Sequence, residues 1–164
     1  MKEIVVLSGK GGSGKTSVSA ALARILEKKV LVDCDVDAAN FYLTLNAKEI
    51  ERQPFFAGLE AFVDQALCTS CGKCEEVCRF DAITSAGVVD ELACEGCGAC
   101  ALVCPQKAVD MRERQAGCWL VSESPFGTLV HAELGIAIEN SGQLVSQVRR
   151  EAKERALLQG AEWL

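Results

Sequence analysis

"SGKGGSGKT", residues 8–16, fits the pattern GxxxxGK[ST], with Gly9, Gly14, Lys15 and Thr16 at the required places. In a loop of this kind the glycines let backbone N–H groups turn inward onto phosphate, and the helix that follows presents its positive end. The residues expected to wrap the phosphates are Gly11, Gly12, Ser13, Gly14, Lys15, Thr16 and Ser17. Lys15 is expected to reach the β and γ phosphates, and the Thr16 hydroxyl to bind Mg²⁺. Lys10, at the start of the loop, is one lysine more than the pattern needs.

The flanks give the loop its context. "EIVVL" (3–7) is a short apolar run suited to a buried parallel strand. "KTSVSAALARILEKK" follows, with Val18, Ala21, Leu22, Ile25 and Leu26 at helical spacing. "VLVDCD" (30–35) reads as a second buried strand, so strand, loop, helix and strand form the βαβ unit that a phosphate loop requires. In the turn after it, Asp33 is a candidate cap for the next turn, and Asp37 and Asn40 are candidate helix caps.

The chain has 164 residues, a formal net charge of −6 and ten cysteines. The negative balance argues against nucleic acid or an anionic membrane as the main partner. No run approaches the roughly 18 apolar residues of a membrane span, and the start is too briefly apolar for a signal peptide. A soluble, cytoplasmic protein is expected, and there cysteines point to metal rather than disulfides.

Eight of the ten cysteines lie between Cys68 and Cys104. "CTSCGKCEEVC" and "CEGCGACALVC" each read C-x2-C-x2-C-x3-C, and an offset of 26 residues carries Cys68, Cys71, Cys74 and Cys78 onto Cys94, Cys97, Cys100 and Cys104. In two-cluster ferredoxins the fourth cysteine of each run ligates the other cluster. One [4Fe–4S] cluster is therefore expected on Cys68, Cys71, Cys74 and Cys104, and a second on Cys78, Cys94, Cys97 and Cys100. Zinc is the alternative, since paired CxxC motifs also make zinc sites. Arg79 stands where the second run has Pro105, which bears on the rigidity of the turn after the ligand and not on the ligation.

Cys34 and Cys118 fall outside the pattern and read as small buried hydrophobes, Trp119 and Trp163 as core residues, and His131 as a packed or hydrogen-bonded histidine. "GCWLVSES" and "TLVHAEL" read as strands, and "SGQLVSQVRREAKERALLQG" as an amphipathic helix capped near Gly160. The final "AEWL" reads as the start of another strand, so the chain is expected to be the N-terminal part of a longer protein. The expected fold is α/β, an incomplete P-loop-type parallel sheet over residues 1–57 and 113–164, with a ferredoxin-like α+β domain inserted at 58–112.

"KGGSGKT" with its leading lysine resembles the MinD/ParA family of P-loop ATPases, which includes the nitrogenase iron protein and the arsenite pump ATPase. "VLVDCDVDAAN" resembles that family's first switch, and the whole chain resembles a MinD-superfamily subgroup carrying an inserted pair of ferredoxin-type sites. The resemblance implies ATP and Mg²⁺ as ligands and a homodimer in the ATP-bound form. It implies that Lys10 reaches the partner's nucleotide and that Asp35 orients the attacking water or the Mg²⁺ shell. The family's second switch is not among these residues, so hydrolysis is expected of the longer protein and not of these residues alone. Three functions stay open: an ATPase coupled to electron transfer or metal-cofactor delivery through a redox or assembly partner, a ferredoxin-like carrier with ATP-dependent dimerisation, and a positioning ATPase with structural or redox-sensing clusters.

Overall fold

The computed structural model describes residues 1–10, 12–136 and 141–164. The elements run α1 (Lys15–Ile25), β1 (Leu31–Val32), α2 (Phe41–Thr44), β2 (Lys48–Val63), α3 (Lys73–Val77), α4 (Ala99–Val103), β3 (Val109–Ser124), β4 (Gly127–Leu134) and α5 (Ser141–Leu158). The chain separates into two compact units, Met1–Phe55 with Gly117–Leu164, and Phe56–Ala116.

The sheet has the order β1-β4-β3-β2 and is mixed rather than parallel. β1 runs parallel to β4, with Leu31 opposite Leu129, whereas β3 and β4 are antiparallel, from Gly117 opposite Leu134 to Ser124 opposite Gly127. The reversal takes only Pro125 and Phe126, and a link that short can join only antiparallel strands. The Ser124 hydroxyl closes it, donating to the Gly127 carbonyl at 2.7 Å and accepting from the Phe126 N–H at 3.1 Å.

β4 is buried on both faces, and its alternation sorts the neighbours. Val130 and Ala132 join a core with Leu144, Val148, Ala152 and Ala156 of α5, a stripe at every fourth residue with no exposure. Leu129 points the other way, to Ala20 and Ala23 of α1 and to Phe41 and Leu45. Truncating a fully buried leucine such as Leu144 to alanine would cost about 2–5 kcal/mol. α5 ends as its sequence predicts: Gly160 turns to φ 63°, its N–H meets the Leu157 carbonyl, and the Ala161 N–H meets the Ala156 carbonyl. That pair of bonds is the Schellman arrangement, which satisfies carbonyls the helix end leaves open.

Several expectations are corrected. Among the described residues, 3–7 form no regular strand: the Ile4 N–H meets the Leu164 carbonyl, next to a parallel bridge between Lys2 and Trp163. Val5 and Leu7 are 63% and 84% exposed because nothing among the described residues packs on them. "AEWL" does pair in parallel, Trp163 bridging both Lys2 and Lys29. The strand expected over 30–35 is reduced to Leu31–Val32. In α1 the buried positions are Ala20 and Ala23, while Val18 and Ile25 are 51% and 73% exposed. Residues 48–63, unassigned from sequence, form a 16-residue strand at the sheet edge, where Pro54 is tolerated because an edge position need not donate.

In the second unit, positions 26 residues apart share backbone conformation. Gly72 and Gly98 precede α3 and α4 at φ 77° and 76°, and Asp81 and Lys107 both lie at 51°. Its core joins Ala61, Val63, Ala82, Ile83 and Val109 to Cys94 and Cys100.

Candidate functional site: the phosphate loop and two cysteine cavities

The loop enters α1 through Gly12 and Gly14, at φ 73° and 90°. A Cβ at either would meet nothing within 4 Å, so the demand for glycine there is conformational. Lys15 opens the helix and donates from Nζ to Ser8 Oγ at 3.1 Å, while Ser8 Oγ donates to the Lys10 carbonyl at 3.0 Å. The lysine amine is thereby folded back over its own loop. Val18 N–H bonds Gly14 O at 3.0 Å, no side chain caps the helix start, and its first turn carries no acid. Among the described residues, that leaves an uncapped positive helix end suited to an anion. Thr16 is half-buried at the second helical position, and Lys10, Gly12, Ser13 and Ser17 are exposed. Gly11 and Ala137–Asn140 lie outside the described residues.

The segment after β1 is held by Asp33. Its Oδ1 accepts the Asp35 N–H at 3.1 Å and its Oδ2 the Phe41 N–H at 3.3 Å. Burial raises its carboxyl above the usual range, opposed by those two N–H bonds. Asn40 stands at the cap position of α2 without a side-chain bond, and Asp37 is exposed, so the cap comes from Asp33, eight residues upstream. Asp35 itself is exposed.

His131 is buried, stacked on Tyr42 at 5.4 Å between ring centroids, with Nε2 at 2.9 Å from Ser122 Oγ. Its Nδ1 has no partner among the described residues. Burial lowers its pKa, opposed by the charges of Asp33, Glu133 and Glu49. Cys118 is buried as expected, with Arg52 Nη1 donating to Sγ at 3.0 Å, and burial raises its thiol pKa. Cys34 is exposed, against expectation, because β1 has already ended at Val32. Trp119 is half-buried against the α5 core, and Lys2 Nζ lies 5.0 Å from the Trp163 ring.

The eight clustered cysteines fall into two quartets. Cys68, Cys71, Cys74 and Cys104 line one cavity, and Cys78, Cys94, Cys97 and Cys100 line another. Each cavity thus takes three thiols from one run and the fourth from the other. Ala82 N–H points to Cys78 Sγ at 3.4 Å and Ala108 N–H to Cys104 Sγ at 3.3 Å, equivalent bonds in the two halves. Backbone N–H bonds, that of Ala108 foremost, lower the pKa of Cys104 and so favour its thiolate. Burial raises those of the equivalent pair Cys74 and Cys100. Four sulfur donors around one cavity, with main-chain donors aimed at sulfur, fit the chemistry of an iron–sulfur cluster. Among the described residues, no three potential ligands converge closely enough to hold a single metal ion.

Sequence reasoning missed the Ser8 partner of Lys15 and the Arg52–Cys118 contact. The first was legible as a hydroxyl beside the loop; the second joins residues 66 apart in sequence, for which spacing carries no signal.

Among the described residues, no helix is long and apolar enough to cross a membrane. An uncharacterised protein of Methanocaldococcus jannaschii is 36% identical over 157 residues, covering 93% of this chain and 55% of its own length. The septum site-determining protein MinD of a Synechocystis species is 40% identical over 70 residues, covering 40% of this chain and 24% of that protein. The chain therefore spans about half the length of the first of these relatives, and about a quarter of the second is matched. No solved structure matches. The family of CobQ/CobB/MinD/ParA nucleotide-binding domains matches residues 4–164, and with its phosphate loop, uncapped helix start and α/β sheet the chain belongs to that family.

Proposed function

We propose that this chain is the nucleotide-binding part of a MinD-type ATPase whose inserted unit carries two [4Fe–4S] clusters. In this reading the nucleotide state is coupled to electron transfer, or to delivery of an iron–sulfur or other metal cofactor, through a partner protein. The supporting observation is the division of eight cysteines into two quartets, each lining its own cavity, in the same chain as a phosphate loop. Cys68, Cys71, Cys74 and Cys104 would hold one cluster, and Cys78, Cys94, Cys97 and Cys100 the other. Such clusters supply one-electron storage at potentials set by charge, hydrogen bonds and exposure.

The remaining roles belong to the loop and the segment after β1. Lys15 and the helix N–H groups hold the phosphates of ATP, and Thr16 holds Mg²⁺. In an ATP-bound homodimer, Lys10 reaches the partner's nucleotide and offsets charge on the transferring phosphoryl group. Its exposure leaves it free to do so. Asp35 orients the attacking water or the Mg²⁺ shell. The test is metal analysis of anaerobically purified protein, with about eight irons and eight acid-labile sulfides per chain expected. Two zincs without sulfide would overturn the reading.

A further inference from the structure

The two cysteine cavities correspond residue by residue through the 26-residue offset, but their walls differ in chemistry. Where the cavity of Cys68, Cys71, Cys74 and Cys104 has Lys73, the other has Ala99. Where the first has Thr69, the second has Glu95. Ser85 is answered by Met111, and Gln106 by Phe80. Burial differs as well: Cys94 and Cys100 are 8% and 9% exposed, while their counterparts Cys68 and Cys74 are only half-buried. One main-chain bond is common to both sites, the N–H bonds to Cys78 and Cys104 at 3.4 and 3.3 Å.

Resting on the reading that each cavity holds a [4Fe–4S] cluster, we propose that the site of Cys68, Cys71, Cys74 and Cys104 has the higher potential and holds the first electron, and that Lys73 and Glu95 set this order. Reduction adds one negative charge to a site. The Lys73 ammonium attracts that charge, and the Glu95 carboxylate opposes it at the other site. The hydroxyls of Thr69 and Ser85 and the Gln106 amide are donors available to sulfur, whereas Ala99, Met111 and Phe80 are not. Deeper burial of Cys94 and Cys100 further disfavours added charge there. These differences between the cavity walls have the same sign. They are opposed by Arg114, whose Nη1 donates to the Cys94 carbonyl at 3.2 Å, and by Glu75 and Glu76, which follow Cys74 where the second run has Ala101 and Leu102. The exchange between sites is one electron, oxidising one and reducing the other, with no bond made or broken. Lys73 and Glu95 are exposed, so solvent screens them and the bias is moderate.

The experiment is a redox titration of the anaerobically purified chain with dithionite, followed by electron paramagnetic resonance, with iron and sulfide measured on every sample. Two one-electron waves are expected, with the first electron favouring one site by about tenfold or more, a separation of roughly 59 mV. Lys73→Ala should lower the upper wave alone, and Glu95→Gln should raise the lower wave alone, each narrowing the gap. Adding Ala99→Lys to Lys73→Ala should close or invert it. A fully loaded chain with coincident waves, or a Lys73→Ala variant that moves the lower wave, would overturn the proposed order while leaving the clusters standing. A chain without sulfide would overturn both.

Discussion

The cysteine-rich unit and the start of the nucleotide-binding unit carry equally emphatic sequence patterns, yet only one fixes its own geometry. In Phe56–Ala116, Gly72 and Gly98 share φ within a degree, Asp81 and Lys107 coincide, and each four-cysteine run delivers its thiols to the same two cavities. The instruction is local, three thiols within seven residues followed by a fourth, and it is repeated. In residues 3–7 an apolar run as clear as any in the chain leaves Val5 and Leu7 largely in solvent. An apolar pattern states a need for cover and does not supply it, whereas a ligand spacing carries most of its geometry with it. The glycine loop belongs with the cysteines in this respect: Gly12, Gly14 and Lys15 are placed although the segment leading into them is exposed.

That contrast can be broken at the loop, where the largest effects are expected. Lys15→Ala should weaken ATP binding by ~10²-fold, the weight of charged hydrogen bonds to phosphate. Lys10→Ala should leave binding near wild type but lower turnover of the full-length protein by ~10³-fold, as loss of a charge acting in trans would. Binding by calorimetry and turnover by phosphate release separate the two. Equal effects of both substitutions on binding would mean that Lys10 belongs to the ground-state site and not to the partner's nucleotide.

A smaller effect sharpens the contrast inside the repeated unit. A Cβ at Gly96 would lie 2.0 Å from the Leu59 carbonyl oxygen, whereas one at Gly98 would meet nothing within 4 Å, although both have positive φ. Gly98→Ala should cost about 1–2 kcal/mol, the left-handed penalty alone. Gly96→Ala should cost about 3 kcal/mol or more, because backbone must move. Denaturation of the metal-loaded chain, followed by its visible absorption, reads both. Equal losses would show that conformation, and not close approach, governs these positions.

The smallest effect is a pH dependence in the first unit. Burial depresses the pKa of His131 below its ordinary value, so the folded state binds fewer protons than the unfolded chain. Stability is therefore full above about pH 6.5 and falls as pH drops toward the depressed folded value. Asp33 acts oppositely: its raised carboxyl contributes stability below the ordinary carboxylate range, lost as pH rises through the folded value. His131→Gln removes the first contribution, so melting temperatures between pH 7 and 5.5 should fall more steeply in the wild type. Parallel profiles would show that the imidazole is not the group responsible.

What the sequence made legible follows the same division. The loop, the two matching four-cysteine runs and the Gly160 helix end all depend on residues close in the chain. The mixed sheet was not legible, because "GCWLVSES" and "TLVHAEL" read as two strands without showing that Pro125 and Phe126 alone join them into a hairpin. β2 was hidden because its first residues, "KEIERQP", are charged, interrupted by proline and largely exposed, leaving no alternation to read. Asn40 has the right chemistry to cap α2, but Asp33 occupies the N–H first. The unequal walls of the two cavities were written in the repeat, at Lys73 against Ala99 and Thr69 against Glu95, but carried meaning only once those residues lined the cavities.

The chain has one histidine and one tyrosine, and the fold stacks them against each other with their planes 14° apart. Tyr42 lies in α2, one residue after the Phe41 N–H that Asp33 holds, while His131 lies in the buried strand β4. In a proton spectrum the imidazole therefore gives a single, unambiguous set of ring signals, displaced by the ring current of one known neighbour. Any displacement of α2 when nucleotide binds would be written in those signals without an introduced label.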